Sequence, residues 1–417
     1  MILLRLAARS LRARWLTAAL TIFAIALSVS LFLGVEKVRT GAKQSFADTI
    51  SGTDLIVGAR SGGVQLLLYS VFRIGNATNN LTWESFEDIR ARPEVAWAVP
   101  LSLGDSHRGF RVLGTTTEYF ERYRYRGDRE LTLADGEIFS DLYDAVLGAD
   151  VASTLGYQVG DPIIVSHGVA SFIDHDDKPF RVSGVLAKTG TPVDRTVIVS
   201  LEGIEAIHVD WTGGAKVPGQ GVSAEETRAM DLSPKAITAA MIGTTSKLKI
   251  FTLQRAINEY AEEPLLAILP GVALQELWAV VGVAETALLG VSGMVVVTAL
   301  LGMAAMIFAS LNERRREMAI FRAVGAGPGT IMILLLAEAA LLAAAGAVLG
   351  ALFLFAGLSA LRPYLDAAYG LYLPLSGLGL REALVVLVVI GAGMLAGLAP
   401  AIRAYLMSLS DGMSVKT

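Results

Sequence analysis

Four stretches of this chain reach membrane-spanning length with almost no charge, a pattern that ordinary soluble folds do not carry. Residues 15–35 are uncharged for 21 positions, 286–312 for 27 and 383–402 for 20, while 323–361 holds a single charge, Glu338. A helix crosses the roughly 30 Å hydrocarbon core with about 20 apolar residues, so each stretch is expected to be a transmembrane helix. Composition points the same way, with 53% hydrophobic and 18% charged residues and a mean hydropathy of +0.54. The net charge of −4 gives no electrostatic case for nucleic acid. There is no cysteine, which excludes disulfides, zinc–thiolate sites and cysteine nucleophiles and suits an oxidising compartment.

Positive charge sets the orientation. Arg5, Arg9, Arg12 and Arg14 precede the first span; Arg314, Arg315, Arg316 and Arg322 fill the connection between the second and third; Arg403 and Lys416 follow the fourth. The positive-inside rule places all three segments, and both termini, in the cytoplasm. The expected division is residues 1–36 as an interfacial helix and first span, 37–276 as an extracytoplasmic domain and 277–311 as a stalk and second span. Residues 312–328 follow as a cytoplasmic loop, 329–361 as the third span, 362–381 as an outer loop, and 382–417 as the fourth span with a cytoplasmic tail. Leu4, Ala8, Leu11 and Trp15 share one helical face and Arg5, Arg9 and Arg12 another, the pattern of an amphipathic helix in the inner interface. The first span reads as an uncleaved anchor, because its apolar run exceeds a signal-peptide core and no small-residue cleavage site follows. The 27-residue run would span about 40 Å as a helix, more than the bilayer needs, so the second span is expected to continue outward as a stalk.

The extracytoplasmic segment alternates short strand and helix signals, which gives the expected fold class: four transmembrane helices with a large mixed α/β domain between the first and second. Strands are expected at 54–57, 110–113, 145–148, 163–165, 180–185, 196–200 and 265–269, and helices at 83–90 after an N-cap Thr82, at 149–155 and at 248–259. Residues 236–242 follow a Ser233–Pro234 turn, and 211–226 are rich in Gly, Pro and Ser and read as a loop.

No G-x-x-x-x-G-K-[ST], G-x-S-x-G or H-E-x-x-H occurs, so these residues hold no P-loop, nucleophile elbow or zincin helix, and no catalytic residue is assigned. The densest polar cluster outside the membrane is HGVASFIDHDDK at 167–178. It reads as a solvated turn stabilised by aspartates; were it to hold a metal, His167, His175, Asp174 and Asp176 are the ligands in reach by sequence, with His107 and His208 too distant in sequence to place. Glu338 is the one acid of the third span and reads as a joint that pairs across helices, about 15 Å along a helix starting at Pro328 and so near mid-membrane. Gly346 and Gly350, and Gly393 and Gly397, recur at i,i+4, the spacing that lets helices approach closely, within one chain or between two.

The charge cluster between the second and third spans reads NERRREMAIFRAVGAGPGT at 312–330. Its residues 313–326 resemble the signature that follows the second span in FtsX-like, MacB-like ABC transporter permeases. The likeness continues in the N-terminal 6–26, in GTDLIV at 52–57, in VLGADVA at 146–152 with Leu155, Gly156, Val159, Gly160 and Asp161, and in APAIRA at 399–404. HGVASFIDHDDK has no counterpart in it. The resemblance implies a type VII ABC architecture in the bacterial inner membrane. Two permeases form a homodimer, and each binds a separate ATPase that carries the ATP and magnesium, so that this chain binds no cofactor and is not itself an enzyme. A partner protein in the periplasm and membrane lipid complete the expected surroundings. The ATPase is expected to dock on a coupling helix, with Glu313, Arg314, Arg315, Arg316, Glu317 and Arg322 offering charge-assisted contacts, Met318, Ile320 and Phe321 an apolar face, and Gly325 the stop. Cargo is not implied, since members serve lipoproteins, peptides, macrolides and cell-wall hydrolases. The alternative is a membrane-anchored sensor or scaffold whose outer domain binds a ligand without an ATPase.

Overall fold

The computed structural model describes residues 2–168, 175–212, 215–216, 221–369 and 379–406. In chain order its principal elements are α1 (Ile2–Ala13), α2 (Trp15–Asp48), β1 (Leu55–Ala59), α3 (Gly63–Ser70), α4 (Trp83–Arg90), β2 (Val95–His107), β3 (Phe110–Thr115), β4 (Leu133–Gly136), β5 (Asp144–Leu147), α5 (Ala149–Leu155), β6 (Pro162–Ile163), β7 (Phe180–Leu186), β8 (Thr196–Ser200), α6 (Leu201–His208), β9 (Ala239–Thr244), α7 (Ile250–Asn258), β10 (Leu265–Ile268), α8 (Pro270–Glu313), α9 (Arg315–Ala323), α10 (Pro328–Tyr369) and α11 (Leu380–Leu406). They form two units, one from residues 42–281 and 365–372, the other from 1–41, 282–364 and 373–417.

The first unit is built on a mixed ten-stranded sheet in the order β10-β1-β9-β2-β3-β8-β5-β7-β4, with β6 on β7. Strand β2 joins its halves: residues 95–101 pair antiparallel with β9, and 102–107 pair with β3. Alternation sorts the side chains. Ile56, Val99, Leu113, Val146, Ile198 and Met241 share one core, while Val112, Ala145, Leu147, Val197 and Val199 fill another on the opposite face. Strand β8 is buried at all five positions, which explains its unbroken apolar run. The helix at 83–90 starts where Thr82 accepts a hydrogen bond from the Ser85 amide, a side-chain N-cap. Two elements have no local signal. Pro100, Gly104 and Asp105 break the alternation of β2, and α6 is a short helix entered directly from β8 through an N-cap Ser200.

Asp54 locks the entry to this unit. Its carboxylate accepts from the Thr244 amide at 2.8 Å and the Thr244 hydroxyl at 2.6 Å and pairs with Lys247. Burial pushes the carboxyl upward, but Lys247 and Thr244 outweigh it and hold its pKa below the usual carboxylate value.

In the second unit, four helices among the described residues are long and apolar enough to cross a membrane. Helix α10 is central. Ile331, Leu335, Ala339, Leu342, Ala347 and Leu354 pack with Ile25, Val29 and Leu33 of α2, Leu300, Met303 and Ile307 of α8, and Val389 and Ala401 of α11. The four paired glycines lie at these crossings within one chain. A Cβ on Gly346 would sit 2.6 Å from the Ile25 side chain, on Gly350 2.5 Å from the Ala26 carbonyl, on Gly393 2.5 Å from Ala343 and on Gly397 2.6 Å from Ala339. The second spanning helix begins at Pro270 rather than 277, and α2 runs on to Asp48 rather than ending near 36. At the other end of these spans Lys37 pairs with Glu382 at 2.7 Å and Arg39 with Glu36 at 3.0 Å and Glu285 at 3.8 Å, linking α2 to α11 and α8.

Two measurements follow. Because the depressed folded-state pKa of Asp54 adds stability above its unfolded pKa, Asp54→Ala is expected to cost about 1–3 kcal/mol at neutral pH. That difference should vanish as pH falls through the folded-state pKa, as read by chemical unfolding of wild type and variant at several pH values. Gly350→Val, which forces a side chain onto the Ala26 carbonyl, is expected to lose about 1–3 kcal/mol, seen as a lower unfolding temperature in detergent, while Gly357→Ala, where a Cβ meets open space, is expected to change little.

Candidate coupling site

Arg314 is the one turn residue between α8 and α9, and Arg14 the one between α1 and α2. Both reach the same carboxylate. The Arg314 Nη1 donates to Glu338 Oε1 at 3.1 Å and Oε2 at 3.0 Å, and the Arg14 Nη2 donates to Oε2 at 3.4 Å. Arg314 Nε donates onward to Glu317 Oε2 at 3.1 Å, and Arg14 Nη2 to Ser10 Oγ at 3.1 Å. Glu338 is 1% exposed and the Arg314 side chain 8%. The carboxylate therefore does not stand at mid-membrane. Its partners are the arginines at the start of the first span and the end of the second, so it lies level with the ends of these spans. Helix α10, at 42 residues, exceeds the bilayer, and counting inward from Pro328 overstates the depth.

Helix α9 presents its polar and apolar groups unequally. Met318 turns inward and packs on the core of the helical unit, so it does not belong to the expected open face. Ile320 is 62% exposed and Val324 83%, and these two, four residues apart, stand on one side of the helix. Val324 was not singled out by sequence; it reads as part of the stop. Phe321 and Arg322 are half-buried, with Arg322 Nη2 donating to the Tyr405 carbonyl at 3.4 Å. Gly325 has φ +100°, and the amides of Gly325 and Ala326 donate to the carbonyls of Arg322 at 3.0 Å and Phe321 at 2.9 Å. This is a Schellman cap, which a side chain at position 325 would strain. The side chains of Glu313, Arg315 and Arg316 lie outside the described residues.

In the sheet unit, the solvated-turn expectation for 167–178 needs revision. His167 and His175 come together with His208, at the end of α6, and with Asp105 of β2. Asp176 is exposed in a turn and takes no part, and Asp174 lies outside the described residues. His107 instead contacts the Ile164 carbonyl at 2.7 Å and the Tyr157 hydroxyl at 3.1 Å. The hydrogen bond that Asp105 accepts from His167 raises the His167 pKa, whereas burial, helped by His208, drives that of His175 down to about 4.

Comparison with known proteins decides the family. Residues 18–259 match the model of the MacB-like periplasmic core domain, and 289–409 that of the FtsX-like permease C-terminal region. The chain belongs to the MacB-like, FtsX-like family of ABC transporter permeases. A macrolide export ATP-binding/permease protein MacB from Azoarcus sp. (strain BH72) is 25% identical over 365 residues, covering 83% of this chain and 50% of that protein; this chain thus spans about half the length of that relative. The crystal structure of the periplasmic region of MacB from Actinobacillus actinomycetemcomitans aligns with TM-score 0.34 and 11% identity over 55% of this chain and 94% of that one. The extracellular domain of the ABC-type transporter YknZ from Gram-positive bacteria aligns with TM-score 0.30 and 13% identity over 52% and 99%. At these TM-scores neither adds to the family assignment.

Within this permease the FtsX-like match contains Arg314, α9 and Glu338, and the MacB-like match contains the histidine cluster. Removing one partner of a buried ion pair leaves the other charge uncompensated. Glu338→Leu is therefore expected to cost about 3–5 kcal/mol and Glu338→Gln, which keeps a hydrogen-bonding oxygen, clearly less. Thermal unfolding of the detergent-solubilised permease measures both, and equal losses would show that charge rather than hydrogen bonding holds the joint.

Proposed function

We propose that this chain is the permease subunit of an ABC transporter, acting as a homodimer with a separate ATPase subunit docked on α9. ATP and magnesium sit on that ATPase, and hydrolysis there drives a conformational change of the extracytoplasmic domain, in the service of export or extraction of a lipoprotein, peptide or small molecule. Membership of the permease family supports the reading, as does the absence of a P-loop motif from these residues. The observation that carries it is the build of α9: an exposed apolar pair, Ile320 and Val324, on a short helix whose entrance is fixed by a buried ion pair and whose exit is capped by Gly325. Exposed apolar groups beside arginines are the ingredients of a protein contact. The arginine clusters support a cytoplasmic location for this end and both termini, where an ATPase has access.

The test is a photo-crosslinking amino acid at position 324, with the captured chain identified by mass spectrometry. Capture of a P-loop ATPase is expected. Ile320→Asp combined with Val324→Asp is expected to reduce co-purification of that ATPase at least about tenfold, since each loses an apolar contact of roughly 1 kcal/mol or more, while membrane insertion stays at wild-type level. Full transport-linked activity with no nucleotide-hydrolysing partner, or unchanged capture by the double variant, would overturn the proposal and favour the sensor or scaffold.

A further inference from the structure

Three of the four histidines in the chain converge in the sheet unit on one buried aspartate. Local structure brings them there. The amides of Ser106 and Ser166 exchange backbone hydrogen bonds at 3.0 and 2.8 Å, which sets Asp105 beside His167. The His175 amide donates to the Val165 carbonyl at 2.9 Å. His208 closes α6, and its Nδ1 meets the Ile204 carbonyl at 2.8 Å; donating there leaves Nε2 with a free lone pair, the arrangement that orients metal-binding imidazoles.

The donor atoms have coordination spacing. His167 Nδ1 and His208 Nε2 are 3.0 Å apart, His167 Nδ1 and Asp105 Oδ1 3.4 Å, and His208 Nε2 and Asp105 Oδ1 3.7 Å. Four ligands at the usual zinc distances of about 2.0–2.1 Å stand about 3.3–3.4 Å apart in a tetrahedron, so these three are close to one face of it. His175 supplies the fourth corner, with all four ligand atoms within 4.8 Å of one another.

A metal-free network accounts for part of this. A proton on His167 Nδ1 could bridge to His208 Nε2, and Asp105 could accept from either ring. It does not account for His175, which is 0% exposed and has neither ring nitrogen hydrogen-bonded among the described residues. An unpaired buried donor or acceptor lowers stability, and a metal bond satisfies it. Trp211 covers the cluster, its ring 4.5 Å from His175 and 5.3 Å from His167. Lys178, buried nearby, is neutralised by Asp210 at 2.9 Å. His167 and His208 keep 38% and 24% side-chain exposure, an entry path for an ion.

We propose that Asp105, His167, His175 and His208 bind one divalent transition-metal ion of the zinc class in the extracytoplasmic domain. Three imidazoles and one carboxylate suit zinc rather than magnesium or calcium, and the near-tetrahedral spacing disfavours the square-planar preference of copper(II). The ion would tie β2, the segments flanking 169–174 and the end of α6 into one cross-link, so binding should stabilise the folded domain.

The test uses the untagged full-length chain in detergent, stripped with chelator and titrated with Zn²⁺ and Co²⁺. One ion per chain is expected, with the visible ligand-field bands of four-coordinate Co²⁺ and a raised unfolding temperature. His208→Ala and Asp105→Asn should each weaken zinc binding at least tenfold, while His107→Ala leaves it unchanged. His175→Cys gives a direct mark of the fourth ligand, because in a chain without cysteine a thiolate–cobalt charge-transfer band can arise only there. Absence of stoichiometric binding by the wild type, binding retained at full strength in both the His208 and Asp105 variants, or Co²⁺ bound by His175→Cys without that band would overturn the assignment.

Discussion

The helical unit depends on one carboxyl group, Glu338, buried where little water reaches it. Glu338 is 1% exposed, and an ion so placed is tolerated only when its charge and lone pairs are met. Arg314 meets it with two contacts and Arg14 with a third. Each arginine is also a break between helices, so a single electrostatic requirement sets where α1 gives way to α2 and α8 to α9, and ties both breaks to the central helix. Arg314 thus links the start of α9 directly to α10. Glu317 adds a second carboxylate on the same guanidinium, which couples the surface of α9 to the buried joint.

Helix length is the second constraint. At 34 and 44 residues, α2 and α8 would run for roughly 51 and 66 Å, well beyond the hydrocarbon core. The surplus is not idle. Residues 42–48 of α2 and 270–281 of α8 count with the sheet unit, where Phe46 stacks with Phe72 at 4.6 Å and with Trp278 at 5.5 Å and Ala273 and Leu274 enter the core. Aromatic pairs of this kind add to simple burial. The same two helices thus contribute residues to both units.

What could be read from sequence follows the range of the physics involved. The four spans are local apolar runs, legible residue by residue. Strands and helices bounded by their own signals, such as 145–147 into 149–155 at Gly148, were legible as well. Strand β2 was not, because its Pro100, Gly104 and Asp105 break period-two alternation and it answers to two different partners. Glu338 stood out as a lone acid among apolar neighbours, yet its partners lie 24 and 324 residues away, and its depth depended on the true length of α10. Met318 looked like one more apolar residue on α9; only packing shows that it faces inward while Val324 faces out. His167 and His175 were visible as a polar cluster, but His208 lies 41 residues from His167 on a helix with no strong signal, and Asp105 sits on the strand that sequence missed.

The buried polar clusters around Glu338 and around His175 are told apart by the same accounting. A buried polar group is either matched by the protein or left for something the protein binds. Around Glu338 the protein supplies the match, with two guanidinium groups on one carboxylate and each guanidinium passed on to a further acceptor, Glu317 or Ser10. That completeness marks a structural joint between helices. Around His175 the protein brings donors to coordination distance and leaves a fully buried ring unmatched. Folding that segment around an unsatisfied imidazole lowers stability, a cost that the ion proposed above would offset. The distinction between the two clusters therefore rests on hydrogen-bond satisfaction rather than on the identity of the residues.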